Sequence, residues 1–101
     1  MTINPTWIQN LRSNKFAQTQ NRLCRNGAYC VLGLGLKSLG YEFDHNGRFP
    51  HEDGHFYVYF IPDEILPELG IDEDTAATVS NMNDTGKTFN QIADYLESHK
   101  V

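Results

Sequence analysis

The stretch Leu11–Leu36, LRSNKFAQTQNRLCRNGAYCVLGLGL, decides how this chain folds. Asn26-Gly27 within it is a strong two-residue hairpin signal, because the pair accepts the left-handed backbone that such a turn needs. Phe16, Gln18, Gln20 and Arg22 alternate with Ala17, Thr19 and Asn21 before the turn, and Ala28-Tyr29-Cys30-Val31 returns after it. The pattern predicts a hairpin with arms at about 16–25 and 28–32. With the turn at Asn26-Gly27, Leu23 lies opposite Cys30 and Cys24 opposite Tyr29. The two thiols then face opposite sides, and no disulfide between them is expected. VLGLGLKSLG continues as a helix, with Leu32, Leu36 and Leu39 as its apolar stripe and Gly40 as its stop. Gly33 and Gly35 weaken that helix by about 1 kcal/mol each. They are expected where another part of the chain packs closely.

Working outward, Asn4-Pro5 is a helix start, and Trp7, Ile8 and Leu11 share one face of a short helix over about 5–13. Trp7 reads as a core anchor. Residues 41–55 are rich in turn formers and predict a long loop, with an edge strand at Tyr41 to Phe43. Phe56 to Ile61 predicts a central strand, because its aromatics fall on both faces. Pro62-Asp63-Glu64 opens a helical turn that Pro67 limits and Gly70 ends, and Ile71 to Asp74 reads as acidic loop. Residues 76–82 read as a strand and 83–87 as a turn. Thr88 with Gln91 forms a capping box for a last helix whose buried stripe is Phe89, Ile92, Ala93 and Leu96. The whole is one α+β domain over 1–101. Its small antiparallel sheet combines the hairpin at about 16–32 with strands at about 56–61 and 76–82, and the N-terminal, middle and C-terminal helices pack on it.

At 101 residues the chain can bury one modest core, and 40% apolar residues with 12% aromatics mark it as globular. No apolar run approaches membrane-spanning length, the N-terminus lacks a signal-peptide pattern, and two cysteines are too few for a disulfide scaffold. These features predict a cytoplasmic protein with reduced thiols. The net charge of −5 conceals an asymmetry. Residues 1–40 hold five Lys/Arg and no acids, hence +5; residues 41–101 hold three bases and thirteen acids, hence −10. Overall acidity argues against bulk DNA binding, but leaves room for a small anion held by a local basic cluster.

Several fragments look like chemistry. His51-Glu52-Asp53-Gly54-His55 fits HExxH, which works only where a helix sets both histidines on one face. Pro50, Gly54 and the strand at Phe56 oppose that helix, so an exposed loop is the simpler reading, and no metal is expected. Asn81 to Thr88 differs from a phosphate-binding P-loop by one residue, Asn81 standing where the first glycine belongs. A tight turn feeding a capped helix accounts for it. Basic neighbours would favour a Cys24 thiolate, yet nothing places a base beside it. The basic cluster remains. Arg12, Lys15, Gln18, Gln20, Arg22 and Arg25 offer guanidinium forks and amides suited to phosphate and ribose oxygens, and Tyr29 could stack on a base. The competing reading docks these bases on the acidic second half of the chain.

The order of these motifs resembles a family of small, uncharacterised proteins of bacteriophages and prophages. The resemblance lies in Trp7 to Gln18 (WIQNLRSNKFAQ), Leu23 with Tyr29-Cys30-Val31-Leu32-Gly33, Ile61-Pro62 with Leu69-Gly70, and Asn83 to Phe89 with Ile92-Ala93-Asp94. It covers most of the chain except 40–60. Val31 stands where the family commonly has a second cysteine, and Gly35-Leu36 near a third. The resemblance implies a phage origin and action inside a bacterium, and no mechanism.

These readings together suggest a phage accessory protein of counter-defence type. It would sequester a small anionic, nucleotide-like ligand without catalysis or cofactor, at a subunit interface of a homo-oligomer. Two alternatives stand beside it. One is an inhibitor of a host enzyme acting through Glu64, Glu68, Asp72, Glu73 and Asp74; the other is a small metal-dependent hydrolase built on His45, His51 and His55.

Overall fold

The computed structural model describes residues 3–51 and 54–98. Helix α1 (Pro5–Arg12) begins as its Asn-Pro start requires: the Asn4 side chain accepts the backbone N–H of Thr6 at 2.9 Å and of Trp7 at 3.2 Å. These are two of the donors that a first helical turn leaves unpaired. Trp7 and Leu11 are buried on one face, and the Trp7 indole N–H donates to the Val31 carbonyl at 3.0 Å.

The hairpin forms with the expected turn and register. β1 (Cys24–Arg25) runs antiparallel to β2 (Ala28–Tyr29), with Cys24 opposite Tyr29. Asn26 and Gly27 both have positive φ, 50° and 81°. The first arm is shorter than the alternation suggests. Asn21 has a φ of 64°, and the chain doubles back before Leu23. Residues 16–19 therefore do not extend β1. They lie along the other edge of β2, through a parallel bridge of Gln18 to Tyr29. Thr19 N–H donates to the Tyr29 carbonyl and Tyr29 N–H to the Ala17 carbonyl, each at 2.9 Å.

Helix α2 (Val31–Ser38) is the centre of the molecule, with every residue from Val31 to Leu36 buried. It packs against α1 and against α4 (Glu73–Asp84). Gly33 makes this possible: a Cβ there would lie 1.8 Å from the Leu23 carbonyl oxygen. The backbone entering β1 thus rests directly on the helix. After a 3₁₀ turn at Asp63–Ile65, α3 (Leu66–Leu69) stops at left-handed Gly70. The capping box of α5 (Phe89–Ser98) is made as expected: Thr88 N–H donates to Gln91 Oε1 at 2.9 Å, and Gln91 N–H to Thr88 Oγ1 at 3.1 Å. Phe89, Ile92, Ala93 and Leu96 are buried.

The class is α+β, but the strand assignments need correction. Residues 76–82 lie within helix α4, not in a strand. The Asp72 side chain accepts the Thr75 N–H at 2.8 Å, and Glu73 and Asp74 sit at the positive end of the helix dipole. Of the supposed acidic loop 71–74, Asp72 is therefore the cap of α4, and Glu73 and Asp74 are its first residues. Ala76, Val79 and Asn83 are buried at spacings of three and four, and packing on α2 overrides the strand-like Thr78-Val79 pair. Residues 56–61 are not a central strand either. Only β4 (Phe56–Tyr57) pairs, with β3 (Phe49–Pro50), and the expected edge strand at 41–43 is absent among the described residues. The described residues thus form two separate two-stranded ribbons, and the helices pack mainly on one another. No described helix is long and apolar enough to cross a membrane.

Candidate functional site

The fold separates the seven residues of the basic segment. Arg12 is engaged by α5: its Nε donates to Glu97 Oε1 and its Nη2 to Asp94 Oδ1, each at 2.8 Å. The hydrogen bond to Asp94, with that to Glu97, raises the guanidinium pKa further. The two glutamines turn toward Asn83. Gln18 Nε2 donates to Asn83 Oδ1 at 2.9 Å and to the Lys87 carbonyl at 2.8 Å, and Gln20 Nε2 to the Asn83 carbonyl at 3.2 Å. The half-buried Tyr29 ring lies against Phe16 and Phe43, with centroids 6.0 and 5.8 Å away. Lys15 is exposed beyond the end of α1.

Arg22 and Arg25 come together. They line a groove of about 350 Å³ with Cys24, Asn26, Gly27 and the turn 44–47. Gly47 seats that turn against β1: its φ is 76°, and a Cβ on it would lie 2.5 Å from the Cys24 carbonyl oxygen. Arg22 Nη2 donates to the Asn46 carbonyl at 3.1 Å, whereas Arg22 Nε is buried with no hydrogen-bond partner. Buried donors without a partner are rare, and each calls for an explanation.

Asp44 is the one carboxylate among the lining residues, and it is committed elsewhere. Its Oδ1 accepts the backbone N–H groups of Arg48 and Asn46, and its Oδ2 the Arg48 Nε, all at 2.9 Å. The Arg48 N–H, chiefly, holds this carboxyl below the usual range. The groove therefore presents two guanidinium groups against a carboxylate already neutralised by Arg48, which is the charge balance of an anion site. The sequence predicts a long loop over 41–55 and does not join it to the arginines. The turn formers Asp44-His45-Asn46-Gly47 were the available signal.

Compared with known protein families, curated proteins and solved structures, the chain matches none.

The motif-like fragments take structural roles. A helix, not a strand, precedes the P-loop-like stretch, and its amides are spent: Gly86 N–H donates to the Asn83 carbonyl, Lys87 N–H to Met82 and Thr88 N–H to Gln91. No cradle of free N–H groups remains there for a phosphate. In the HExxH stretch, Glu52 and Asp53 lie outside the described residues. His51 and His55 connect β3 to β4, His51 N–H donating to the His55 carbonyl at 3.1 Å, so they share no helix face. Among the described residues no three His, Cys, Asp or Glu side chains converge where they could hold a metal ion. Several acids proposed for a partner surface have internal contacts: Glu64 meets His51 Nε2 at 2.8 Å, Glu68 accepts from the Tyr41 hydroxyl, and Asp72 caps α4.

Both thiols are free and buried. Burial pushes the Cys24 thiol up and drives Cys30 to about 11, although the N–H groups of Gly33 and Leu32 oppose the rise at Cys30. At pH 8 about one Cys30 in a thousand is a thiolate, too few for fast reaction. The native protein is expected to react slowly with an aromatic disulfide reagent at pH 8, with both thiols titrating at once in denaturant. Stoichiometric labelling of the native state within seconds contradicts this.

Proposed function

We propose that this protein binds a small anionic ligand of the nucleotide class in the groove between β1 and the turn 44–47, and does not transform it. The observation that carries the reading is that Arg22 and Arg25 line one groove, and that among the described residues no carboxylate forms an ion pair with either. Phosphate oxygens match guanidinium forks in both charge and spacing. The groove's volume of about 350 Å³ lies at the small end of ligand pockets. The resemblance to phage proteins suggests the setting, a counter-defence factor that withdraws a nucleotide signal inside an infected bacterium. The bases that pair within the chain, Arg12 above all, take no part in this reading, and neither do Gln18 and Gln20.

Thermal-shift measurement against a panel of mono-, di- and cyclic nucleotides tests it. A ligand at a hundred times its Kd adds about 2.7 kcal/mol of stability, a rise of roughly ten degrees or more for a domain of this size. Arg22→Ala and Arg25→Ala are expected to abolish the rise, and Arg12→Ala to preserve it. A flat panel, or a rise that survives both groove substitutions, rejects the site.

A further inference from the structure

We propose that the chain associates with a second copy of itself through the face that carries Tyr59 and Phe60, in a two-fold arrangement that sets Arg25 of each protomer against Glu73 of the other. The proposal goes beyond the anion-binding reading and needs no ligand; since it engages Arg25, a second copy and an anionic ligand compete for that guanidinium.

The exposed large apolar side chains among the described residues are Phe56, Tyr59 and Phe60, at 54%, 66% and 63% exposure. Phe56 already has company, since the Arg48 guanidinium lies 4.4 Å from its ring centroid. Phe60 meets the Tyr57 ring edge-on, with centroids 5.6 Å apart, yet stays as exposed as Tyr59, and each of the two walls a hollow. The Phe60 groove, about 240 Å³, is lined by Leu32, Ile61 and Leu66 together with Asp63 and Glu73. The Tyr59 hollow, about 260 Å³, is lined by Arg22 and Asp84. Ser80 lines both, and Arg22 also lines the groove that holds Arg25.

The three depressions adjoin in series through these shared residues, and we take them as one face. It is basic at the Arg22–Arg25 end, aromatic in the middle and acidic at the Asp63–Glu73 end. A two-fold axis through the aromatic middle brings the basic end of one copy onto the acidic end of the other, twice, and lets each Phe60 enter its partner's apolar groove. Such antisymmetric charge is self-complementary, whereas a foreign partner would need a matching pattern of its own. Glu73 supports the pairing. Its hydrogen bond to Asp63 holds the Glu73 carboxyl above its usual range, and an arriving guanidinium relieves the crowding of the two acids. A stable dimer buries about 800 Å² per protomer, roughly a seventh of the 5710 Å² accessible surface, so the contact must extend beyond the hollows to the residues around them.

Sedimentation velocity of the full chain from about 5 to 200 µM, at low and high salt, tests the proposal. A dimer weakened by salt is expected. Phe60→Ser, at a position already exposed, should yield a monomer with an unchanged circular dichroism spectrum. Arg25→Glu and Glu73→Lys should each weaken association at least tenfold, and the two together should restore it to within about threefold of wild type. A monomer at every concentration overturns the proposal. So does a dimer indifferent to Phe60→Ser, or a double reversal that fails to recover.

Discussion

Gly33→Ala is expected to cost about 3 kcal/mol or more and to lower the thermal midpoint by roughly 12–24 °C. The added methyl would sit 1.8 Å from the Leu23 carbonyl oxygen, inside any contact that atoms tolerate. The obstacle is backbone, and that backbone is tied on both sides. Leu23 N–H donates to the Val58 carbonyl at 2.7 Å, and the Leu23 carbonyl accepts from Cys30 N–H at 3.1 Å. Moving it away breaks the entry to β1. Alanine's better helix propensity returns at most about 1 kcal/mol, too little to offset the clash. Gly35→Ala supplies the contrast. Its methyl would meet Leu69 Cδ1 at 2.8 Å and Cδ2 at 3.1 Å, the end of a side chain and not backbone, so a smaller loss of about 1–2 kcal/mol is expected. Thermal melts of the two variants check the difference. Equal midpoints would show that the β1 approach is not rigid.

Asn83→Ala should be nearly as damaging, at about 3–5 kcal/mol by urea denaturation. Asn83 is fully buried near the end of α4 and joins three parts of the chain. Its Oδ1 accepts the Val31 N–H at 3.1 Å and the Gln18 Nε2 at 2.9 Å, and its Nδ2 donates to the Thr19 carbonyl at 2.8 Å. The Val31 N–H is one of the unpaired donors of α2's first turn, so Asn83 caps that helix from 52 residues away. Alanine strands the Val31 N–H and the Thr19 carbonyl together, each a backbone group with a desolvation cost of about 1–3 kcal/mol, and leaves a void. Gln18→Ala removes a single partner and should cost about 1 kcal/mol. A loss below about 1 kcal/mol for Asn83→Ala would show that water takes over these bonds and that Asn83 does not organise the centre.

What the sequence by itself determined here is local. The Asn4 cap, the Asn26-Gly27 turn with its register, the Gly40 and Gly70 stops and the Thr88–Gln91 box each depend on residues within about four positions of one another, and their chemistry appears in any short window. Tertiary structure decided the rest. Residues 76–82 had composition for either state, and became a helix because α2 offers a surface for Ala76 and Val79. The basic segment held several cations of one kind, and the contacts that sort them span 82 residues from Arg12 to Asp94 and 24 from Arg22 to Asn46. Asn83 looked like part of a turn because its partners Gln18, Thr19 and Val31 lie more than fifty residues earlier in the chain. Short-range chemistry fixes where elements start and stop. Which charges remain free for a ligand depends on pairings that exist only once distant segments meet.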